Sequence, residues 1–462
     1  MSASNRYLDI DKSILAEGYT TLEAYANLET LCSFGSRFGG TPGEKPAVEF
    51  MVRKMKEYGL DNVRAEPFTY TGWIRGPGHL ASIAPERREF QCITLPHVGD
   101  FEIEGELLFV GYGTPSEMEA YADRIPGKIV MANSESPPYF RSLHRREKIT
   151  RALSLGAKGF VFMREEGGLL PETGSTRTNA ASEVAVVAVS REEGMALLRL
   201  QKEGPVTVRI KTEGTVRPME SWHVVGELIG QTMPDRLMVV GAHFEGHDIA
   251  LGAMDDGSGA CVTMEIARLL APHRKQIART LRFICFPLEE IALTGSFKYV
   301  LNHLDDLDKI DFMLNLDGAG RGEGGIALQG WSELIPTFRK IGSEMLHPIT
   351  VDNSPSMSSD HFPFTLAGVP SATFAELLSV RTRRGYGHTA ADTLDKVSAR
   401  NLQHAAVQIS RIMLRAANMT DWPARRRTEA EVVGILDRFG LRETVKLVMY
   451  PSIPGRFDMS KL

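Results

Sequence analysis

The segment VVGAHFEGHDIALGAMDDGSGACVTMEIARLL, residues 239–270, decides the fold. Together with Leu237 and Met238, its first two valines form a short apolar run, which is typical of a strand buried on both faces of a sheet. After a loop, residues 260–270 place apolar side chains at helical spacing. A buried strand followed by an amphipathic helix predicts an α/β fold, in which ligands bind at the carboxyl ends of the strands.

Side chains that bind metals follow several successive segments of this kind. A lone histidine at a strand end is more often structural than a ligand. Here, however, the apolar runs 281–286 and 312–316 also end in carboxylates, and adjacent glutamates repel each other unless a cation or a proton lies between them. The candidates in chain order are His243, Asp255, Asp256, Glu289, Glu290, Asp317, Asp360, His361 and His388.

These side chains have a common chemistry. Imidazoles and carboxylates without thiolates suit zinc or another borderline divalent ion. Five ligands, one of them a shared carboxylate, are what two metals about 3.5–4 Å apart require. The sequence therefore predicts a site for two metal ions at the edge of the sheet.

Six short strings carry a resemblance to a known family. They are GAHFEG at 241–246, GAMDDGSGA at 252–260, LEEIALTGS at 288–296, NLDGAG at 315–320, SDHFPF at 359–364 and GHTAADTLDKV at 387–397. In order and spacing they resemble the co-catalytic zinc aminopeptidase and glutamate carboxypeptidase family, metallopeptidase family twenty-eight. GAMDDGSGA is most similar to the plasma glutamate carboxypeptidase (carboxypeptidase Q) branch.

The resemblance implies a fold and a metal centre. The fold would be zinc aminopeptidase-like, with a mixed central sheet covered by helices on both faces and an inserted protease-associated domain. The centre would hold two Zn²⁺ per chain, with Co²⁺ or Mn²⁺ able to substitute. His243 and Asp317 would complete one site, Glu290 and His388 the other, and Asp255 would bridge the two.

The resemblance also implies an activity, the hydrolysis of a peptide or an amino-acid amide. A metal-bridging water would be the nucleophile and Glu289 its general base. We expect an aminopeptidase, with the free amine of the substrate held by Glu245 or Asp248. The alternative is a carboxypeptidase or dipeptidase, in which Arg381, Arg383 or Arg384 holds the substrate carboxylate. These arginines could equally belong to a solvated loop. A glutaminyl cyclase and a non-catalytic binding protein are disfavoured, because the set of ligands and the base are complete.

Two positions depart from the family pattern. Glu245 stands where relatives usually have an aspartate that orients the first histidine, and a longer carboxylate can do the same. Gly387 stands where some relatives have a tyrosine thought to steady the tetrahedral intermediate, and Tyr386 is its candidate substitute.

Four further polar residues lie close to the motifs without belonging to the family's set of ligands. His247 and Asp248 fall between His243 and Asp255 in sequence, and we expect them to contact substrate or to hydrogen-bond within the loop. Asp360 and His361 are expected to orient ligands or to contact substrate.

The chain divides into three parts in this interpretation. Residues 1–104 and 217–421 form the catalytic domain, and residues 105–216 form the inserted protease-associated domain, as a lid over the site or as a module for stability or assembly. Within it, Tyr139, Arg141, His144 and Arg145 either reach the cleft or form a solvated basic helix face, and we expect the solvated face. Residues 422–462 form an extension whose apolar residues pack on the body or make a homo-oligomer contact.

Composition excludes several other classes of protein. The 462 residues carry a formal net charge of −5, which gives no sign of a nucleic-acid surface. No run of about 18 apolar residues suggests a membrane span, and the first twenty residues do not resemble a signal peptide. The four cysteines are scattered, which indicates reduced thiols in the cytoplasm.

Overall fold

The structure is a computed structural model that describes residues 6–138, 140–177, 179–375 and 385–462, with residue 375 described by its backbone alone. Four residues named above therefore lie outside the described part of the chain: Tyr139, Arg381, Arg383 and Arg384. The helices are α1 (Leu8–Thr20), α2 (Glu23–Ser33), α3 (Glu44–Glu57), α4 (Pro115–Ala120), α5 (Arg145–Ser154), α6 (Arg191–Gln201), α7 (Ser258–Leu270), α8 (Thr294–Asn302), α9 (Ile335–Glu344), α10 (His361–Leu366), α11 (Ala399–Ala417), α12 (Glu429–Arg438) and α13 (Arg442–Val448).

The strands join into one continuous ladder. They are β1 (Asp61–Ala84), β2 (Arg88–Phe90), β3 (Cys92–Thr94), β4 (Phe101–Phe109), β5 (Ile129–Asn133), β6 (Gly159–Met163), β7 (Ala185–Val189), β8 (Thr207–Leu228), β9 (Met233–His243), β10 (Arg279–Phe286), β11 (Ile310–Asn315), β12 (Gly325–Leu328), β13 (Val351–Asp352) and β14 (Ser371–Ala375). Within the described residues their order is β13-β12-β14-β11-β9-β10-β8-β4-β5-β6-β7-β3, and β1 pairs with β2 and β8.

The central part of this ladder is a mixed sheet with its parallel strands in the middle. Strand β9 pairs in parallel with both β10 and β11, whereas β8 is antiparallel to β10 and β12 is antiparallel to β14. Every residue of β10 and β11 is buried. The three apolar runs recognised in the sequence are therefore the core strands.

Helices cover both faces of the central sheet. On one face α7 packs on β9 and β10, and α2, α3 and α11 pack around α7. On the other face α8, α10 and α12 enclose a second apolar cluster. The expected α/β architecture is confirmed.

A second lobe is connected to the central sheet by the long antiparallel ribbon of β1 and β8. Strands β4 to β7 run in parallel within this lobe, β3 pairs with β7 at its edge, and two apolar clusters lie on its two faces. The assignment of residues 105–216 as a protease-associated insertion stays a prediction.

The C-terminal extension packs on the body of the same chain. Val432, Leu436, Val445, Val448 and Tyr450 are at most 3% exposed and join the apolar cluster beside α8 and α10. Intramolecular packing thus buries these apolar side chains.

Two chain-wide features bear on the expectations from composition. Cys32, Cys92, Cys261 and Cys285 are all free thiols, and Cys92 alone among them is partly exposed. Among the helices of the described ranges, none has both the length and the apolar character needed to cross a bilayer.

Candidate metal centre

The candidate ligands converge because three parallel strands end at the same edge of the sheet. His243 is the last residue of β9, Glu289 and Glu290 follow β10, and Asp317 follows β11. Since β9 lies between β10 and β11, the loops after the three strands are neighbours. This edge is where an open α/β sheet binds its ligands.

The polar side chains form two groups, each with potential ligand atoms within 4.8 Å of one another. The first group is His243, Asp255 and Asp317, and the second is His247, Glu290 and His388. Asp255 faces both groups, because its Oδ1 is 3.4 Å from His243 Nε2 and its Oδ2 is 3.5 Å from His388 Nε2. This is the arrangement expected of a bridging carboxylate.

The residues of both groups fit divalent metal ions of the borderline class. Nitrogen and carboxylate oxygen are the donors that zinc accepts. Neither ring nitrogen of His243, nor Oε1 of Glu290, makes a hydrogen bond to any other residue that the structure describes, although all three atoms are buried. Buried polar atoms are ordinarily satisfied, so a cation is the partner that these atoms need.

The electrostatics of the cluster lead to the same conclusion. Burial raises the pKa of Glu289 well above its ordinary value, and the nearby Glu290 and Asp317 carboxylates add to this, whereas His243 opposes it. Burial opposes ionisation of Glu290, but the imidazoles of His247 and His388 outweigh it and hold the pKa of Glu290 well below its ordinary value. So many carboxylates in one buried site require compensating positive charge.

Glu245 lies where it can orient His243. Its Oε2 is 3.5 Å from His243 Nδ1, and its Oε1 accepts a hydrogen bond of 3.1 Å from the backbone N–H of Glu290. It thus links a ligand of each group. Asp248, in contrast, is paired with Arg75 through contacts of 2.6 and 2.7 Å.

His247 is the main difference from the sequence interpretation, which left it outside the set of metal ligands. The side chain is buried, and its Nε2 lies 2.9 Å from Glu290 Oε2 and 3.2 Å from His388 Nδ1. The loop between β9 and α7 turns the imidazole inward, where it stacks on Phe38. Sequence spacing alone could not show which way this loop turns.

The remaining residues expected to orient ligands or to contact substrate differ in how close they lie to the centre. Asp360 is buried, and burial together with Glu245 and Asp317 raises its pKa to about 8, although His243 and Ser296 oppose this. His361 is directed to the carbonyl of Ser356 at 3.0 Å. Tyr386 is 47% exposed and lies under the Lys396 ammonium, so its ring does not line the metal cavity.

Steric crowding explains why position 387 is a glycine and not the tyrosine that some relatives have. A Cβ atom at this position would lie 2.7 Å from Asp255 Oδ2. A larger residue would therefore have to displace the Asp255 carboxylate.

Two residues that the sequence analysis did not assign to the site hold the loop carrying Asp255. Arg37 donates hydrogen bonds of 2.7–2.8 Å to the carbonyls of Phe244, Leu251 and Gly252. Asp392 accepts hydrogen bonds from the backbone N–H groups of Met254 and Asp255, at 2.8 and 3.1 Å. Arg37 comes from the glycine-rich turn before α3, and Asp392 lies within the GHTAADTLDKV string.

Asp256, the neighbour of the bridging residue, is structural. Its Oδ1 accepts hydrogen bonds from the backbone N–H groups of Gly259 and Gly318, at 3.0 and 3.2 Å. It therefore ties the start of α7 to the loop after β11.

The second lobe and the C-terminal extension close a cavity of about 220 Å³ over the metal centre. The expectation of a solvated basic face is wrong for Arg145, which is 8% exposed and donates to Glu172 Oε1 at 2.8 Å. The next residue, Arg146, is buried with its guanidinium 4.9 Å from the ring centroid of Tyr450. The cavity is lined by His144, Arg145, Arg146, Ser175, Asp255, Glu289, Glu290, Ala292, Leu293, Asp317, Arg321, Ser358, His388 and Tyr450.

The same lobe contacts the candidate ligand His388 directly. His388 Nδ1 is 3.0 Å from the carbonyl oxygen of Thr173, and the backbone N–H of Thr173 donates to the carbonyl of His388 at 2.9 Å. Arg145 Nη2 lies 2.8 Å from the same Nδ1, so the second lobe fixes this side of the ring, while Nε2 is directed at Asp255 and Glu290. Thr173 lies 215 residues from His388, so no local sequence pattern could reveal this pair.

Comparison with known proteins gives one family and several relatives of similar length. The family model described as Peptidase family M28 matches residues 223–413. Aminopeptidase YwaD of Bacillus subtilis is 28% identical over 400 residues, covering 83% of this chain and 82% of the relative. Carboxypeptidase Q of Homo sapiens is 23% identical over 413 residues, covering 86% of each.

Solved structures show the same fold. A Peptidase M28 precursor from Shewanella amazonensis superposes with a TM-score of 0.77 at 21% identity, covering 91% of this chain and 98% of the other. BSAP, a zinc aminopeptidase from Bacillus subtilis, superposes with a TM-score of 0.65 at 24% identity, covering 85% of this chain and 93% of the other.

Proposed function

We propose that the chain is a dinuclear zinc exopeptidase of peptidase family M28, with Glu289 as its general base. The observation that carries the proposal is the convergence of two groups of ligands on Asp255, with Glu289 lining the same cavity. His243, Asp255 and Asp317 would hold one ion, and Asp255, Glu290 and His388 the other. The relatives include an aminopeptidase and a carboxypeptidase, so both directions of cleavage are considered below.

Different residues would have different roles in the hydrolysis. Bound zinc ions supply electrophilic activation of the scissile carbonyl and lower the pKa of water. Glu289 accepts the proton of the attacking water and passes it to the leaving amine. Glu245 and the Thr173 carbonyl keep the rings of His243 and His388 in the orientation that binding requires.

Cleavage from the amino terminus is the first candidate direction. It is supported by the 28% identity to an aminopeptidase over most of both chains. The two carboxylates that sequence suggested for the substrate amine are engaged elsewhere, Glu245 by His243 and Asp248 by Arg75. An ammonium group would therefore be held by the carboxylates of the centre itself.

Cleavage next to a free carboxylate is the second candidate direction. Arg145, Arg146 and Arg321 line the cavity, and guanidinium groups bind carboxylates well. In the described part of the chain, the carboxylates that line the cavity are Asp255, Glu289, Glu290 and Asp317, all of which the proposal assigns to the metals or to the base. Arg145 is already paired with Glu172, so Arg146 and Arg321 are the guanidinium groups of the lining that would meet an anionic end of the substrate.

One experiment tests the activity and assigns the direction. Zinc content is measured alongside hydrolysis of matched peptides that carry a free or a blocked amine and a free or an amidated carboxyl end. Two zinc ions with cleavage only of free-amine peptides establish the aminopeptidase. Cleavage of blocked peptides that requires a free carboxyl end establishes the carboxypeptidase or dipeptidase. Absence of zinc and of turnover would overturn the proposal.

We also propose a protease-associated insertion that acts as a lid, because residues of this lobe line the cavity and contact His388. A cytoplasmic location is supported by the four free thiols.

A homo-oligomer contact through the C-terminal extension stays a prediction, and sedimentation analysis tests it.

A further inference from the structure

We infer that His247 is an additional ligand of the second metal ion, so that this ion is held by His247, Glu290 and His388 together with the bridging Asp255. The inference rests on the proposed function, since it needs a metal centre. It goes beyond the family's set of ligands, which leaves the position of His247 outside.

The first support is the convergence of two rings on one oxygen atom. His247 Nε2 is 2.9 Å and His388 Nε2 is 3.0 Å from the same atom, Glu290 Oε2. These three side chains offer ligand atoms within 4.8 Å of one another. Two imidazoles and a carboxylate directed at one point match the preferences of zinc.

The second support is that the surroundings hold His247 in this orientation. The ring stacks on Phe38 with centroids 5.9 Å apart, and the next residue, Asp248, is fixed by its ion pair with Arg75. Before it, Gly246 approaches Gly252 so closely that a Cβ on Gly246 would lie 2.4 Å from Gly252 Cα. The loop therefore presents the imidazole to the centre without the cost of ordering it on metal binding.

The third support is that the ring faces the centre with Nε2, which lies 2.9 Å from Glu290 Oε2, and makes its polar contacts on that side. Its Nδ1 is buried and has no hydrogen-bond partner among the residues of the described ranges. The same is true of both ring nitrogens of His243, which belongs to the first group. The rival interpretation is a simple hydrogen bond from His247 Nε2–H to Glu290, which would only position that carboxylate.

The additional ligand makes the two metal sites unequal. The first ion would have three protein ligands, which leaves an open position of the kind that catalytic zinc sites keep. The second would have four, which is the number in closed structural sites. We therefore expect the second ion to resist chelators more strongly than the first.

The test counts imidazole ligands and follows the loss of zinc. X-ray absorption of the zinc-loaded wild-type protein is expected to show three imidazoles for two zinc ions, and the His247→Ala variant two. During titration with a chelator, the variant should lose its more tightly held zinc at a concentration at least about tenfold lower. His223→Ala is the matched control, because His223 is equally buried but bonds to the carbonyl of Gly295.

The outcomes separate this inference from the proposed function. Two zinc ions with only two imidazoles in the wild-type protein would overturn the role of His247 and leave the exopeptidase intact. Wild-type protein that binds no zinc would overturn both. If His247→Ala does not fold, the imidazole count of the wild-type protein decides alone.

Discussion

Glu289 lines the same cavity as the proposed metal ligands Asp255, Glu290 and His388. Replacing it by Gln keeps the shape of the side chain but removes the base. We expect turnover to fall by roughly a hundredfold to ten-thousandfold, which is the usual contribution of general acid–base catalysis. Zinc content and the unfolding midpoint should not change, since Glu289 is not one of the proposed ligands. Steady-state kinetics with elemental analysis provide the measurement.

The matched control for Glu289 is a glutamate of the surface. Glu333→Gln removes a carboxylate that pairs with Arg427 at 3.0 Å and is not among the residues that line the cavity. It should leave turnover unchanged. Wild-type turnover in Glu289→Gln would remove Glu289 from the role of base.

Some residues of the centre could be predicted from the sequence because their positions follow from local rules. His243, Glu290 and Asp317 come directly after apolar runs, and the carboxyl ends of parallel strands meet at one edge. His247 could not be predicted in the same way, because it lies within a loop whose direction depends on Phe38 and on distant contacts.

At the level of elements, the loop between β9 and α7 carries Asp255 and is held by a residue from another part of the chain. Arg37 is 1% exposed and donates to three carbonyls of this loop. Arg37→Ala would leave buried carbonyl groups without donors, so we expect the free energy of unfolding to fall by about 3 kcal/mol or more. Urea unfolding measures this, and zinc affinity should fall with it.

A surface arginine provides the control for Arg37. The side chain of Arg53 on α3 is 60% exposed, and its ion pair with Glu57 is long, at 3.8 Å. Arg53→Ala should change the free energy of unfolding by no more than about 0.5 kcal/mol. Equal effects of the two substitutions would contradict the role of Arg37 as the support of the loop.

The elements could be predicted more fully than their contacts. Strands β9, β10 and β11 were recognisable because fully buried strands are nearly continuous apolar runs. The contact of the second lobe with His388 could not be predicted from the sequence, because Thr173 and Arg145 reach the centre through tertiary packing. The same holds for Tyr450, which lines the cavity from the C-terminal extension.

In the whole molecule, a buried ion-pair network joins the amino-terminal helix to the last long helix of the catalytic domain. Asp11 on α1 is 3% exposed and accepts hydrogen bonds from Arg411 and Arg415 on α11, the shortest of them 2.6 Å. Asp11→Asn would remove the counter-ion that the buried Arg411 and Arg415 share and would leave Arg415 with its longer ion pair to Glu344, at 3.7 Å. We expect a loss of about 3–5 kcal/mol in the free energy of unfolding at neutral pH.

This network also predicts a pH dependence. Burial opposes ionisation of Asp11, but the two arginines outweigh it, so the pKa of Asp11 is lowered in the folded protein. Its stabilisation is thus fully present above the unfolded value of about 3.9 and is lost as the pH falls through the lower folded value. The difference between wild type and Asp11→Asn should shrink below about pH 4.

The control for this prediction lies one helical half-turn away. The side chain of Asp9 is 98% exposed, and its one ion pair, with Lys12, is 3.8 Å long. Asp9→Asn should have a near-zero effect on denaturant unfolding at every pH. An Asp11→Asn difference that stays constant down to the lowest pH would contradict the assignment of a lowered pKa.

The central claim is that one cavity holds two zinc ions that share Asp255. The most direct measurement is anomalous diffraction at the zinc absorption edge from crystals of the zinc-loaded protein. We predict two peaks, one among His243, Asp255 and Asp317 and the other among Asp255, Glu290 and His388. A single peak, or peaks outside these residues, would contradict the account.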